Sequence, residues 1–328
     1  MDRLQRRHGV LGFAYAVARK FLDDGGGREA ALITYYGFLS IFPLLLIGVA
    51  VVSRVLTSEP ELRQRLVTAI VPPSLQPTVE GAAAALPSST AGLAAGLVGL
   101  LFSAAGVVFS GSCTLNHLAA VPFRARTGTV LGYLRMLLVL VLIIAGAVAV
   151  GGLTVVATVV PGLPGLSRAF AVLGSGLVVL GVLLASARLL LFCRAPVRAL
   201  WPAAVPGAVA VTVVLNVGAA VLPGLVRRAG AVYGGFATVA GMFTMLYVLS
   251  IVLVCSAEIA AVRRARLWPR ALDPSRPTAA DARALALLAR EQERTALDRV
   301  SSRVLRPEGG TPPPPTDDVG RGDRARRS

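Results

Sequence analysis

The sequence predicts an all-α fold: a polytopic membrane protein with six transmembrane helices and an N-terminal interfacial helix. Three observations carry this reading. First, the stretches 32–52, 91–111, 136–159, 169–193, 203–222 and 236–257 are each apolar for about the length of a bilayer span. A hydrocarbon core roughly 30 Å thick needs about 20 apolar residues in helix. Backbone in lipid must also satisfy its own hydrogen bonds, so such runs are helical. Second, 55% of the 328 residues are hydrophobic and only 15% are charged, against about 25% charged in soluble domains. Third, the connecting segments are mostly short and rich in Arg. The membrane domain fills 30–265 and leaves no room for a soluble catalytic domain.

Residues 1–29 read as a cytoplasmic amphipathic segment. Leu4, Leu11, Ala14, Tyr15, Ala18, Phe21 and Leu22 fall on one helical face, and Arg6, Arg7, Arg19 and Lys20 occupy much of the remainder. A helix of this kind lies on the membrane surface with its basic side toward anionic lipid. No apolar core or small-residue cleavage site marks the segment as a signal peptide. Asp23-Asp24-Gly25-Gly26-Gly27 ends it and turns the chain into the first span.

That first span holds Tyr35, Tyr36, Ser40 and Pro43. Pro43 removes one helical hydrogen bond and favours a kink. The loop over 54–90 is the longest outside the tails, with short amphipathic helices expected after Pro60 and over 79–86. The second span leads to Asn116 and His117, and the fifth contains Asn216. Between Gly81 and Leu272 the only acidic residue is Glu258, about five residues before Arg263-Arg264 and so roughly 7–8 Å inside the membrane end. Arg188 lies about six residues before Arg194, roughly 9 Å deep. Intramembrane charges are costly and usually paired, so two arrangements are open: an ion pair between Glu258 and Arg188, or Arg188 reaching the inner headgroups while Glu258 pairs with Arg263. After Trp268 the composition turns polar. Residues 266–305 form a cytoplasmic tail with a helix of about 20 residues opened by Thr278 and Asp281, in the spacing of a capping box. Residues 306–328, with the Pro run at 312–315, are expected to be disordered.

The net charge of +16 sits in tails and loops rather than on one face. It therefore speaks for membrane topology, and no nucleic-acid partner is expected. The basic excess flanking the odd entries and even exits puts both termini in the cytoplasm. Cys113, Cys193 and Cys255 show no metal-ligand spacing and are read as small apolar filler. With two histidines, His8 and His117, and no acidic cluster outside the tail, the chain lacks the donor set of a metal-dependent hydrolase. No enzyme activity, metal or cofactor is expected.

Three segments carry a resemblance. They are Ala30-Ala31-Leu32-Ile33-Thr34-Tyr35-Tyr36 continuing to Ser40-Ile41-Phe42-Pro43-Leu44, then Phe102-Ser103-Ala104 running on to Leu115-Asn116, and Tyr233-Gly234-Gly235-Phe236-Ala237 leading to Ala257-Glu258-Ile259. In this order the chain resembles the YihY/BrkB family of bacterial inner-membrane proteins, long mislabelled ribonuclease BN. The resemblance covers about residues 10–265. It implies a six-span protein of the bacterial cell membrane linked to movement of lipidic envelope components. It also implies a substrate path of Tyr35, Tyr36, Ser40, Pro43, Asn116, Tyr233, Gly234 and Glu258, to which the depth of Arg188 adds that residue. Membrane lipids are the expected partners. The leading function is a transporter or translocator of a lipid-like envelope component. The alternative is a membrane scaffold that recruits proteins through its cytoplasmic tails, and the oligomeric state is left open.

Overall fold

The computed structural model describes residues 9–55, 90–126, 130–159, 164–192, 196–273, 277–295 and 297–302. Among these the chain is helical, without strands: α1 (Gly9–Asp23), α2 (Gly26–Val55), α3 (Thr90–Leu118), α4 (Val130–Val159), α5 (Pro164–Leu190), α6 (Val197–Tyr233), α7 (Gly235–Ala265) and α8 (Ala279–Glu291). A single 3₁₀ turn, Phe123–Ala125, follows α3. The amphipathic helices expected over 54–90 and the disorder expected beyond 306 lie outside the described residues.

Four stretches are long and apolar enough to cross a membrane: Val130–Thr154, Ala169–Leu190, Val197–Gly230 and Gly235–Ala265. Large apolar side chains face outward along them, among them Val148, Phe170, Leu177 and Phe236, as does Phe102 on α3. A helix that is apolar all round and exposes those groups needs lipid as its solvent. The protein is accordingly a membrane protein.

The helices run past the expected spans. The apolar stretch 203–222 lies inside a 37-residue helix, α6, that tolerates Pro202, Pro206 and Pro223 and continues through Arg227 and Arg228. The loop expected before the last span is therefore one residue long. Gly234 alone joins α6 to α7, with φ +56 and its N–H donating to the Gly230 carbonyl at 2.9 Å. A side chain there would be strained in that left-handed conformation.

Neighbouring helices close into a ring, α2 against α3, α3 against α4, then α5, α6 and α7, with α7 returning to α2. Small residues allow the close approaches. A Cβ added to Gly106 of α3 would sit 2.5 Å from Tyr36 Cδ1 of α2, so this glycine is needed for the contact. Polar clips cross the ring: Thr34 of α2 donates to Ser250 of α7 at 3.0 Å, and Thr114 of α3 donates to Glu29 of α2 at 2.8 Å. Helix α1 packs on α7. Its buried stripe, Gly12, Ala16 and Lys20 at intervals of four, follows the helical repeat. Lys20 thus turns inward, contrary to its expected place on a basic outer side. Helix α8 is shorter than expected, at 13 residues, but opens with the expected capping box between Thr278 and Asp281.

Candidate functional site

A chamber of about 1470 Å³ opens between α3, α4, α5, α6 and α7, beyond the roughly 300–1,000 Å³ of ordinary small-molecule pockets. Its wall is made of Val, Leu, Ile, Ala and Gly, exemplified by Val108, Val139, Ile143, Val182 and Val211. Along α6 the lining runs from Ala199 to Leu215 and along α7 from Leu253 to Ala265. At about 1.5 Å per residue these are roughly 24 Å and 18 Å of rise, more than half a hydrocarbon core. Few hydroxyls interrupt it. Ser256 donates to its own helix at Val252 at 2.7 Å. The Ser186 hydroxyl is buried without a partner among the described residues.

At one end the lining changes sign. Lys20, Arg124, Arg264, Arg290 and Arg294 line the chamber there, and among the described residues no Asp or Glu does. The cations come from separate elements brought together by the docking of α8. That docking is polar and specific. His117 Nδ1 lies 2.8 Å from Glu291, Arg126 donates to Glu291 at 2.6 Å, and Arg124 pairs with Glu293 at 2.9 Å. Arg270 bridges Asp23 and Asp281, both at 2.6 Å. Burial alone would raise the Glu291 carboxyl, but the hydrogen bond from His117 and the adjacent Arg126 outweigh it and hold it below its usual range. The same bond to Glu291 raises His117 above its usual value against the opposing effect of burial.

Beside this end lies a buried charge cluster. Glu258 of α7 is fully buried and pairs with Lys20 of α1 at 3.0 Å. Lys20 also pairs with Asp24 and donates to the Leu118 carbonyl at 3.1 Å. Two carboxylates thus share one ammonium away from water. Such a pair is held by geometry, because desolvation offsets much of the attraction. Arg188 is exposed on α5, and among the described residues no ion pair joins it to Glu258. The Glu258–Arg188 pair is therefore corrected to Glu258–Lys20. The cause is the tertiary packing of α1, which delivers a cation from outside the spans.

Of the nine residues expected along a substrate path, the Pro43 side chain lies outside the described ones, and the other eight stand outside the chamber lining. Tyr35 is exposed, and its ring meets Tyr36 edge-on at 5.3 Å. Tyr36 fills the groove over Gly106, and its carbonyl accepts from Ser40 at 2.8 Å. Pro43 lies within α2. Tyr233 is exposed beside the Gly234 turn. Asn116 is buried. Its amide donates to the Ser112 and Leu190 carbonyls at 2.7 and 2.9 Å and accepts from the Phe192 N–H at 2.9 Å, which fastens the end of α5 to α3. Sequence reading overlooked the chamber because its lining is ordinary apolar residues. The one available hint to Lys20 was its i, i+4 spacing from Ala16 and from Asp24.

A family model described as Virulence factor BrkB matches residues 17–281. The chain belongs to the BrkB family. The match takes in about the last two turns of α1, the whole helical ring and the first residues of α8, so the Lys20–Glu258 contact and most of the chamber of this BrkB-family chain lie within it. No curated protein and no solved structure matches the chain.

Proposed function

We propose that this BrkB-family chain is a multi-pass protein of the bacterial cytoplasmic membrane that moves a lipid-like envelope component between leaflets. On this reading α2 and α3 join the four apolar helices to make six spans, and both termini with α8 are cytoplasmic. Helix α1 lies in the interface, offering Leu11, Ala14, Ala18 and Leu22 to lipid, all of them exposed. No chemical step is assigned. The observation that carries the proposal is the chamber, which is apolar, larger than a small-molecule pocket and deep enough to hold acyl chains through half the bilayer.

The scaffold alternative has less support, because α8 and the residues that follow it are engaged with the chain's own Arg124, Arg126 and His117.

The test is lipid movement in liposomes. Purified protein would be reconstituted with a fluorescent lipid, and an impermeant reductant would quench the outer leaflet. The expected result is loss of signal well beyond half, slowed by Ala147→Trp, which fills the chamber from α4. Fluorescence held at half, with and without an imposed proton gradient, would overturn the proposal.

A further inference from the structure

We infer that the basic end of the chamber is a binding site for the anionic headgroup of a lipid whose chains occupy the apolar part. The inference deepens the proposed function and rests on it for the lipid nature of the ligand. Five cations and no carboxylate line this end among the described residues. Lys20 is already satisfied by Asp24 and Glu258. Arg124 is only half satisfied: one terminal nitrogen pairs with Glu293, while its Nε is buried without a hydrogen-bond partner among the described residues. A buried guanidinium N–H left unpaired costs free energy that an acceptor would recover.

Leu287 and Arg290, three positions apart on one face of α8, line the chamber, and Arg294, three residues past the end of the helix, joins them. Arg290 and Arg294 are exposed; Asp298, a described carboxylate close to Arg294, accepts from its backbone N–H at 3.3 Å and attracts its charge. The Arg294 guanidinium stands 6.0 Å from the centre of the Phe123 ring, whose chain neighbours Pro122 and Arg124 line the chamber. Arg264, on the last turn of α7, completes the collar.

The ligand class follows from these two halves. The guanidinium fork suits phosphate and carboxylate oxygens, and the apolar chamber behind it excludes a free hydrated anion as the natural occupant. The fitting molecule is a phosphate-bearing lipid with its net negative headgroup at the collar. A zwitterionic headgroup would bring its own cation against lining residues that, where charged, are all cations among the described residues.

The experiment measures retention of dioleoylphosphatidylglycerol against dioleoylphosphatidylcholine on the full-length protein in detergent by native mass spectrometry, with melting temperature read in parallel. The wild type should hold the anionic lipid at least about 30-fold better. A basic residue near anionic lipid contributes about fivefold in binding, so Arg290→Gln with Arg294→Gln should lower the preference roughly 25-fold. Both positions are exposed, so folding is retained. Arg263→Gln, one residue outside the collar, should leave the preference intact, and Ala147→Trp should displace the lipid by filling the space for its chains. Equal retention of the two lipids would overturn the inference. So would an equal loss in Arg263→Gln, which would mean general surface charge, or competition by inorganic phosphate at the lipid's concentration, which would mean a free-anion site. Failure is separable from that of the transport reading. A headgroup preference without lipid movement leaves the site standing and removes the transport function. Lipid movement indifferent to headgroup charge and to Arg290 and Arg294 does the reverse.

Discussion

At the residue scale the decisive contact is that of Lys20 with Glu258 and Asp24. Removing one partner of a buried ion pair leaves an uncompensated charge and typically costs about 3–5 kcal/mol. Lys20→Met should therefore lower thermal stability severely, since it strands two carboxylates. Adding Glu258→Gln to Lys20→Met should recover part of that loss, a non-additivity that melting curves of the four proteins would read. Additive losses would mean that the two side chains do not interact. His117 and Glu291 form a second, titratable contact, faced also by Arg126 and by Asp24. Because the folded His117 value is raised from 6.5, its contribution is full below 6.5 and fades as pH rises through the raised value. Because Glu291 is lowered from 4.5, its contribution is present above 4.5 and is lost as pH falls through the lowered value. The contact is thus tightest between these limits. Hydrogen exchange in α8, corrected for intrinsic rates, should rise above that window, and His117→Ala should abolish the pH dependence while Arg126 keeps part of the dock. The sequence showed Glu258 to be the lone acid between Gly81 and Leu272. It could not show its partner, because Lys20 lies 238 positions away and outside the apolar runs.

At the element scale, fixed joints surround the chamber. Asn116 serves the free carbonyl at the end of α5 and the N–H beyond it, groups that a helix terminus leaves without internal partners. Asn116→Leu would leave both unpaired at a buried position. It should cost about 1–3 kcal/mol for each polar group left unsatisfied, seen as a lower melting temperature. A melting temperature within error of wild type would mean that the joint is dispensable. The helices themselves were legible from apolar run length, since that property is local. Their true lengths were less so. Helix α6 continues through Arg227 and Arg228 because a helix end is set by capping and by Gly234, while hydropathy marks only the part in lipid. The capping box at Thr278 and Asp281 was readable for the same local reason, but the end of α8 depends on Glu291 and Glu293 reaching across to α3 and the turn after it.

At the scale of the whole molecule, a ring of helices encloses an apolar chamber with cations gathered at one end. If that chamber carries lipid, a bulky side chain such as Ala147→Trp should act alike on lipid binding and on lipid movement, whereas Arg290→Gln with Arg294→Gln should act on headgroup choice. Divergence in those assays would separate holding from moving. By itself the sequence determined the all-helical membrane class, the positions of the apolar helices, the family and the single acid at the end of the last apolar run, because each rests on composition, period or local motif. The tertiary structure alone decided that Glu258 meets Lys20 rather than Arg188, that Asn116 fastens the end of α5 to α3, and that α8 and the residues after it bring Arg290 and Arg294 to the chamber. The physical reason is that a cavity is defined by what does not fill the space between helices. Ala, Val and Leu read the same in sequence whether they face a neighbour, a lipid or a void.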